Sequence, residues 1–482
     1  MKTTTLRLER FRYGPFARSV VGGLVALLAT VALTPTARAG DWPTHRHDNR
    51  RSGVTTEKLP SPLTRGWVHR SPHPPQTAWT GPAKWDAYAT VKDLKSMRNF
   101  DPAFFVTCVG DRVFFGSSVD DAAHCLDAGT GKPLWSYVTG GAVRLPPAWA
   151  DDRVYFASDD GHAYCVNARD GKLVWRQRAA ASERLIPSNG KLISLWPSRA
   201  GVLVQDGKAY FAGSLLPWDE SYFCAVDAKT GSADGDGLYS SVARGTTLQG
   251  SLLASADRIY VPQGRSAPLV FDRGTGKDLG AVGGGGGSYV LLTHDDHLVH
   301  GPGNKTGWLT ESQGKTKDSL AFFPGGAHII VDGSGVAYLH SDTELSAFDR
   351  PRYLDLEKRK RELEKRQGAI NKELKKHGKT KNATTEKLRA ELATLKTSVS
   401  EIRGEMPKCF TWKVPCDLPH ELILAGDVLI VGGNDAVAAF SQADGRKLWS
   451  DKVAGKAYGL TVAGGRLFVS TSSGAIHCFT RG

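Results

Sequence analysis

The cysteines are the residues whose chemistry must be assigned first, because the chain holds seven of them among 482 residues. Disulfide exchange, metal binding and nucleophilic catalysis all use cysteine thiols. Cys125, Cys165 and Cys478, however, occupy one position of a recurring phrase in which other copies carry Ala or Val. Free cysteine behaves as a small apolar residue, so these three are predicted to be unpaired core residues. Cys409 and Cys416 flank one predicted strand, and a disulfide between them is an open alternative.

The histidines and the glycine-lysine pairs form no complete catalytic motif. His294, His297 and His300 lie three residues apart, and on a strand this spacing sends them to alternating faces. His45 and His47 in the N-terminal tail are an alternative metal site, although we predict no bound metal. The sequence has no phosphate-binding loop, no Gly-x-Ser-x-Gly elbow and no Cys-x-x-Cys-His haem motif. These motifs being absent, the sequence favours binding over catalysis.

The elements that carry these residues are predicted to be short strands. Apolar residues make up 40% of the chain, which is enough for a folded core and argues against a disordered polymer. The 54 glycines and the 9% of aromatic residues are typical of strands that are joined by tight turns. We therefore expect an all-β protein.

The first 39 residues have the order of a cleavable export signal. A basic start is followed by an apolar run at 20–33 and by Ala37-Arg38-Ala39 before Gly40. The run is shorter than the about 20 residues that span a bilayer, and an uncleaved anchor is the alternative. No cysteine follows the cleavage site, so we expect no lipid anchor. The sequence predicts export to the periplasm or cell envelope, and the loss of six cations and one acid lowers the net charge from +13 to +8.

A repeat of about 40 residues organises the chain after residue 102. Its first phrase, Asp or Gly before an apolar triplet, begins at Asp111, Asp152, Gly207, Asp257, Asp296, Gly335, Asp427 and Gly465. Its second phrase is a Gly turn and a strand that ends on tryptophan, at Trp135, Trp175 and Trp449, and Trp412 ends a matching strand without the turn. Each unit predicts four antiparallel strands, and eight units are typical of an eight-bladed β-propeller. We expect the four tryptophans to dock one blade on the next.

The ring is predicted to close through the N-terminal segment. The last repeat stops after its third strand at Phe479, and the segment 63–67 has the pattern of the missing fourth strand. Pairing there removes the exposed strand edges that invite aggregation. The predicted divisions are an export signal (1–39), a tail with the ring-closing strand and an extension (40–102), blades (103–351 and 407–482) and an insertion (352–406).

The turn phrase resembles the repeat of the pyrroloquinoline quinone (PQQ) enzyme family, A/C-x-D-A-x-T-G-K-x-x-W. Residues 127–135, 167–175 and 441–449 fit it well, and the resemblance covers roughly 103–350 and 407–482. The family includes dehydrogenases, which hold PQQ on the propeller axis between a tryptophan and a disulfide of adjacent cysteines, with a Ca²⁺ ion. It also includes non-enzymatic scaffolds similar to the outer-membrane assembly protein BamB. No two cysteines are adjacent here, so the resemblance implies a scaffold with neither PQQ nor Ca²⁺.

The insertion at 352–406 is predicted to form two helices. Leu356, Leu363 and Ile370 recur at every seventh residue, and the apolar residues from Leu388 to Met406 step by four and three. This 3.5-residue period indicates an antiparallel α-helical coiled-coil hairpin. Because the hairpin replaces the Gly turn between the third and fourth strands of one blade, we expect it to project from the rim of the propeller.

The hairpin carries 16 cations and 9 acids, and thus most of the net charge of the mature chain. We predict a docking arm for an envelope protein, or alternatively for an anionic membrane surface or polyanion, and no nucleic-acid partner. The other interpretation is a solvated face that folds back on the propeller. The predicted contact residues are Arg359, Lys360, Arg361, Lys365, Arg366, Lys372, Lys375, Lys376, Lys379 and Lys381.

The sequence thus predicts an exported, non-catalytic propeller that acts as a binding or scaffold protein of the cell envelope. The alternative is a PQQ-dependent oxidoreductase that lacks the usual disulfide and haem. A third interpretation is a polysaccharide or small-ligand binder that uses loop aromatic residues such as Trp196 and Trp218.

Overall fold

The computed structural model of the chain describes residues 40–60, 62–79, 99–302, 307–377 and 382–482. The predicted export signal, Lys379 and Lys381 lie outside these residues. Within them the chain forms eight blades of four antiparallel strands, six as separate sheets and two within one eight-stranded sheet. The predicted all-β, eight-bladed propeller is therefore confirmed. Neither of the two described helices is long and apolar enough to cross a membrane.

The strands of the first four blades follow one another along the chain. Two short strands precede them, β1 (Val54–Thr55) and β2 (Leu63–Arg70). Blade 1 comprises β3 (Val106–Val109), β4 (Arg112–Ser117), β5 (Ala122–Asp127) and β6 (Pro133–Val138). Blade 2 comprises β7 (Ala148–Ala150), β8 (Arg153–Ala157), β9 (His162–Asn167) and β10 (Leu173–Arg178). A separate hairpin follows, of β11 (Leu185–Ser188) and β12 (Lys191–Ser194). Blade 3 comprises β13 (Leu203–Gln205), β14 (Lys208–Gly213), β15 (Ser221–Asp227) and β16 (Tyr239–Ala243). Blade 4 comprises β17 (Leu253–Ala254), β18 (Arg258–Gln263), β19 (Ser266–Asp272) and β20 (Asp278–Ala281).

The second half of the ring contains the helical insertion and the ring closure. Blade 5 comprises β21 (Tyr289–Leu292), β22 (His297–Gly301), β23 (Leu309–Gln313) and β24 (Ser319–Phe323). Blade 6 comprises β25 (Gly326–Val331), β26 (Val336–Ser341), β27 (Glu344–Asp349) and, after the insertion, β28 (Phe410–Pro415). Blade 7 comprises β29 (Glu421–Ala425), β30 (Val428–Gly432), β31 (Asn434–Ser441) and the first part of β32 (Lys447–Ala463). Blade 8 comprises the rest of β32, then β33 (Arg466–Thr471) and β34 (Ala475–Arg481).

The ring closes where the sequence predicts it. Strand β2 pairs antiparallel with β34, from Leu63 opposite Arg481 to Arg70 opposite Ala475, and thereby becomes the fourth strand of blade 8. The strand is three residues longer than the predicted 63–67 segment. Backbone hydrogen bonds between the two ends of the propeller therefore cover the edge that β34 would otherwise expose.

In blades 1, 3 and 4 the Gly turn before the outer strand is held by an aspartate. The Asp127 carboxylate accepts hydrogen bonds from the amide and the hydroxyl of Thr130, both at 2.7 Å, and these bonds lower the pKa of Asp127. Gly131 completes the turn at a φ of 70°, which a residue with a Cβ rarely adopts. The same aspartate-threonine pair recurs at Asp227 and Asp272. The phrase is therefore a local folding unit rather than a metal or phosphate site.

A tryptophan at the outer strand fastens each of several blades to its neighbour. The indole N–H donates to a backbone carbonyl of the following blade, and in four of the five cases the ring also lies on that blade's turn glycine, as Trp135 does on Gly171. The donor and acceptor pairs are Trp135 and Ala168, Trp175 and Ala228, Trp412 and Gln442, Trp449 and Leu63, and Trp67 and Ala128. The last pair joins blade 8 to blade 1, so the same contact continues across the closure.

We expect Trp175→Phe to lower the free energy of unfolding by about 2 kcal/mol, because the Ala228 carbonyl loses a buried donor and the indole volume is lost. Urea unfolding followed by circular dichroism measures the change. Trp218→Phe is the matched control, since that side chain is 80% exposed and is expected to change stability by less than about 0.5 kcal/mol. Equal effects of the two substitutions would contradict the docking role of Trp175.

Candidate functional site

The insertion forms two helices that pair with opposite directions. Helix α1 spans Arg350–His377, α2 spans Ala383–Glu405, and a 3₁₀ turn at Met406–Cys409 leads into β28. Ion pairs between Arg366 and Glu391 (2.7 Å) and between Arg403 and Glu364 (2.8 Å) join the two helices. At 1.5 Å per residue the helices are about 42 and 35 Å long. The first helix begins two residues before the predicted boundary at 352.

The apolar residues that the sequence predicted to face each other include five that are buried, of which Leu356 and Ile402 also belong to a cluster with residues of blades 5 and 6. Leu356, Ile370, Leu388, Val399 and Ile402 are all buried, and Ile370 is fully buried near the far end of α1. The seam therefore continues beyond the base of the hairpin, and the two helices stabilise each other over most of their length.

A buried arginine fastens the hairpin to blade 5. Arg350, the first residue of α1, is 2% exposed and donates to both oxygens of Asp295 at 3.0 to 3.1 Å and to the fully buried Glu311. Burial by itself lowers the pKa of Arg350. The negative charges of Glu311 and Asp295 more than offset this effect, so the pKa lies above its ordinary value. His297 Nδ1 contacts both Glu311 and Arg350. No local pattern in the sequence indicates this anchor, because its partners lie 39 and 55 residues upstream, in another blade.

Aromatic packing surrounds this anchor at the base of the hairpin. The ring of Tyr353 lies 5.5 Å from that of Phe323 and 5.4 Å from that of Phe348. Arg361 donates to the carbonyl of Ser319, in the outer strand of blade 5. The proximal part of the hairpin is thus packed against blades 5 and 6, as in the interpretation of a hairpin that folds back on the propeller.

The cations predicted to contact a partner divide into two groups. The first group is engaged within the protein: Arg359 lies 3.9 Å from Asp355, Lys360 lies 2.5 Å from Glu357, Arg361 donates to Ser319 and Arg366 pairs with Glu391. In the second group, Lys365, Lys372, Lys375 and Lys376 are exposed, and no ion pair holds them among the described residues.

Four exposed lysines form a stripe along α1, which we call the lysine stripe: Lys358, Lys365, Lys372 and Lys376. Successive helical residues turn by about 100°, so these positions fall within about 40° of one another and opposite the buried Leu356 and Ile370. From first to last they span about 27 Å of helix. Sequence analysis missed Lys358, although the seven-residue spacing that identified the apolar seam also includes it.

The propeller axis is crossed by residues 40–58, which we call the N-terminal plug. Its backbone bonds to the innermost strands of blades on opposite sides of the ring: Trp42 with Cys108 of blade 1, and Arg50 with Leu292 of blade 5. Gly53 accepts a bond from Leu424 of blade 7. Arg46 in the plug ion-pairs with Glu421 and lies 3.4 Å from the hydroxyl of Tyr289. The tail that the sequence left irregular therefore has defined partners around the axis.

A cavity of about 450 Å³ lies on the axis above the plug. His45 and Arg46 of the plug line it, together with Tyr289, His328 and Glu421 of the inner strands. Burial and the charges of nearby arginines hold the pKa of His45 well below its ordinary value, so this side chain is neutral at pH 7. No three carboxylate, histidine or cysteine side chains in the described parts of the chain are placed to hold a metal ion.

The described lining of this cavity does not fit PQQ with Ca²⁺. It includes neither a tryptophan nor a cysteine, and of its two carboxylates, Asp342 and Glu421, the second is already paired with Arg46. All seven cysteines are unpaired and buried, so Cys409 and Cys416 form no disulfide. Of the two tryptophans that the sequence offered for binding a polysaccharide or small ligand, Trp196 is buried and Trp218 is exposed. The two side chains therefore do not form a common exposed surface.

The extension around residues 71–79 and 99–102 is fixed by a second buried charge network. Arg144 joins Asp101 (2.7 Å) to Asp159 (2.7 Å), and Arg199 binds Asp159 through two bonds of 2.9 Å. Burial raises the pKa of Asp159, but the two arginines lower it to about 2. Phe100 of the extension lines the axial cavity.

The family described as outer membrane protein assembly factor BamB matches residues 77–350 and 411–482. The chain belongs to this family. The matched ranges leave out the hairpin, which interrupts blade 6 of this BamB-family propeller. A search of the curated proteins finds no match.

Solved structures with this fold include enzymes. The chain is similar to a europium-containing methanol dehydrogenase, with 10% identity, a TM-score of 0.58, and 92% of this chain and 98% of that chain covered. It is similar to the quinohemoprotein alcohol dehydrogenase from Comamonas testosteroni, with 13% identity, a TM-score of 0.57 and 92% and 81% covered. BamB from Moraxella catarrhalis matches with 12% identity, a TM-score of 0.39 and 87% and 97% covered. At these identities the first two show the propeller fold alone.

We expect Arg350→Met to lower the free energy of unfolding by about 3–5 kcal/mol, because Glu311 would remain buried without its cation. The double variant Arg350→Met, Glu311→Gln is expected to recover part of this loss. Arg352→Met, which removes only an exposed pair with Glu405, is the control and should cost less than about 1 kcal/mol. Urea unfolding of the three variants measures the difference, and an equal cost for Arg350 and Arg352 would contradict the anchor.

We expect PQQ, added with or without Ca²⁺, to cause no saturable quenching of tryptophan fluorescence, because the described cavity lining offers neither a tryptophan on which the quinone could stack nor three side chains placed to hold Ca²⁺. A tryptophan amide solution under the same conditions corrects for light absorbed by the quinone. Saturable quenching at micromolar PQQ that requires Ca²⁺ would instead support the dehydrogenase alternative.

Proposed function

We propose that this BamB-family propeller is an exported, non-catalytic scaffold of the cell envelope, and that its hairpin docks on an acidic face of another envelope protein. The family assignment and the order of the first 39 residues support the location. The misfit between the axial cavity and PQQ supports a role without catalysis.

The lysine stripe is the observation that carries the docking role. Its four cations lie on one side of α1, point away from the buried seam and have no ion-pair partner among the described residues. Several other cations of the hairpin pair with its acids or bind the propeller, as Arg366, Arg403 and Arg361 do. A row of like charges that is not used in folding favours encounter with an opposite charge, and rim charges mainly set the rate and specificity of association.

The anchor makes the hairpin suitable for docking. Arg350 is held by Asp295 and Glu311 of blade 5, and aromatic rings pack around it, so the base has a fixed orientation. A partner bound along the stripe therefore meets a preorganised surface, which reduces the entropy that binding would otherwise cost.

Charge reversal of the lysine stripe tests the proposal. In the variant Lys358→Glu, Lys365→Glu, Lys372→Glu, Lys376→Glu, we expect at least a tenfold loss of cross-linked adducts from a photo-reactive residue placed at exposed Ala369. Reaction takes place in intact cells, and mass spectrometry identifies the adduct. The four glutamates introduced on α1 would repel an acidic partner.

The control carries the same change in net charge on the propeller: Lys132→Glu, Lys172→Glu, Lys229→Glu and Lys277→Glu, all in exposed Gly turns. It is expected to keep the adducts. Adducts that survive reversal of the lysine stripe would overturn the docking role. Binding of the purified chain to vesicles containing anionic lipid, with no protein adduct, would replace the protein partner with a membrane surface.

A further inference from the structure

The propeller makes its first contacts at the residue that follows the predicted cleavage site. The carbonyl of Gly40 accepts a hydrogen bond from the Gly464 amide at 2.9 Å. Asp41 accepts one from the Gly110 amide at 2.9 Å, and Trp42 is 1% exposed. A cut between Ala39 and Gly40 would therefore leave no spacer between the new amino terminus and the folded plug.

Glu57, at the other end of the plug, has a buried oxygen without a partner. Its Oε1 accepts a hydrogen bond from the Gly465 amide, whereas its Oε2 is buried and makes no hydrogen bond with the described residues. Buried polar atoms that lack a partner are rare, because each keeps the cost of its lost hydration. Burial raises the pKa of Glu57 above its ordinary value, although the Gly465 and Gly464 amides act in the opposite direction.

The unpaired oxygen faces Gly40. A Cβ atom built on Gly40 would lie 3.3 Å from Glu57 Oε2. The nitrogen of a glycine is bonded to the same Cα at nearly the same length and angle. Rotation about the Cα–C bond of Gly40 therefore moves a chain-terminal nitrogen to about that position without displacing the carbonyl that Gly464 holds. The rotation is free only when no residue precedes Gly40.

We propose that cleavage after Ala39 creates the missing partner of Glu57, the α-ammonium group of Gly40, and that this ion pair locks the N-terminal plug across the axis. The inference rests on the proposed export. Hydrolysis of the Ala39–Gly40 peptide bond by a signal peptidase consumes one water molecule and yields a carboxylate on Ala39 and an ammonium on Gly40. Asp41 adds a second negative charge near the ammonium, and Arg466 is the cation that opposes it.

The processed plug differs from the unprocessed one at this point. Before cleavage the nitrogen of Gly40 belongs to a neutral peptide bond, and the residue has a φ of 101°, which glycine tolerates. Glu57 Oε2 then has no hydrogen-bond donor among the described residues. After cleavage the pair is charge-assisted, and such hydrogen bonds are stronger than neutral ones. The full stability of the plug is then reached only in the exported, processed protein.

The first measurement is the intact mass of the full chain after expression with its own leader in a Gram-negative host and purification from the periplasm. A mass that corresponds to residues 40–482 is expected. Any other amino terminus, or a chain that keeps its leader, overturns the cleavage on which both the export and the ion pair depend.

The second measurement separates the ion pair from export. We expect an acylating reagent selective for α-amines to label Gly40 at least tenfold more slowly in the folded protein than in urea, since an ion-paired ammonium is less often deprotonated and one pKa unit corresponds to tenfold. Glu57→Gln should restore most of the labelling rate. Glu183→Gln, at an exposed carboxylate, is the matched control and should not.

A double-mutant cycle completes the test. A serine inserted between Ala39 and Gly40 leaves one extra residue on the processed chain, which mass spectrometry verifies. Glu57→Gln is expected to lower the urea midpoint of the chain that begins at Gly40 and to leave the extended chain nearly unchanged. An equal shift in both chains, or fast labelling of folded wild-type protein, overturns the ion pair while leaving the export intact.

Discussion

The N-terminal segment holds the ring together, and the other features depend on it. A propeller repeat buries its strands only when each blade has two neighbours, and an open ring would leave the outer edge of the third strand of blade 8 unpaired. Strand β2 supplies that pairing along β34, and the plug reaches the inner strands of blades on both sides of the axis. The same segment thus closes the circumference and crosses the axis, so that the chain's first described residues bring together its most distant parts.

Three irregular additions to the ring are fixed by buried pairs of an arginine and a carboxylate. Arg46 fixes the plug to Glu421, Arg144 binds Asp101 of the extension, and Arg350 fixes the hairpin to Glu311. Such pairs contribute little net free energy relative to apolar packing, but removing one partner is costly. Their effect is to specify one arrangement of segments whose apolar contacts alone would permit several.

The axial cavity and the hairpin are the parts of the chain whose residues bear on activity, whereas the blades specify only the fold. Enzymes of the same fold superimpose on the chain, yet in its described cavity the plug places Arg46 against Glu421, one of the two acids of the lining. The basic charge lies instead on α1, outside the matched ranges of the family. What distinguishes this protein is therefore carried by the segments that depart from the repeat.

The sequence by itself determined the repeat, the ring closure at Leu63 and the helical insertion with its buried Leu356 and Ile370. These depend on local periodicity and on turn chemistry, which are readable from neighbouring residues. Only the tertiary structure decided that Arg350 meets Glu311, that Arg46 meets Glu421 and that Glu57 faces Gly40. The partners in these pairs are separated by between 17 and 375 residues, and no pattern along the chain indicates which of many charges folding will bring together.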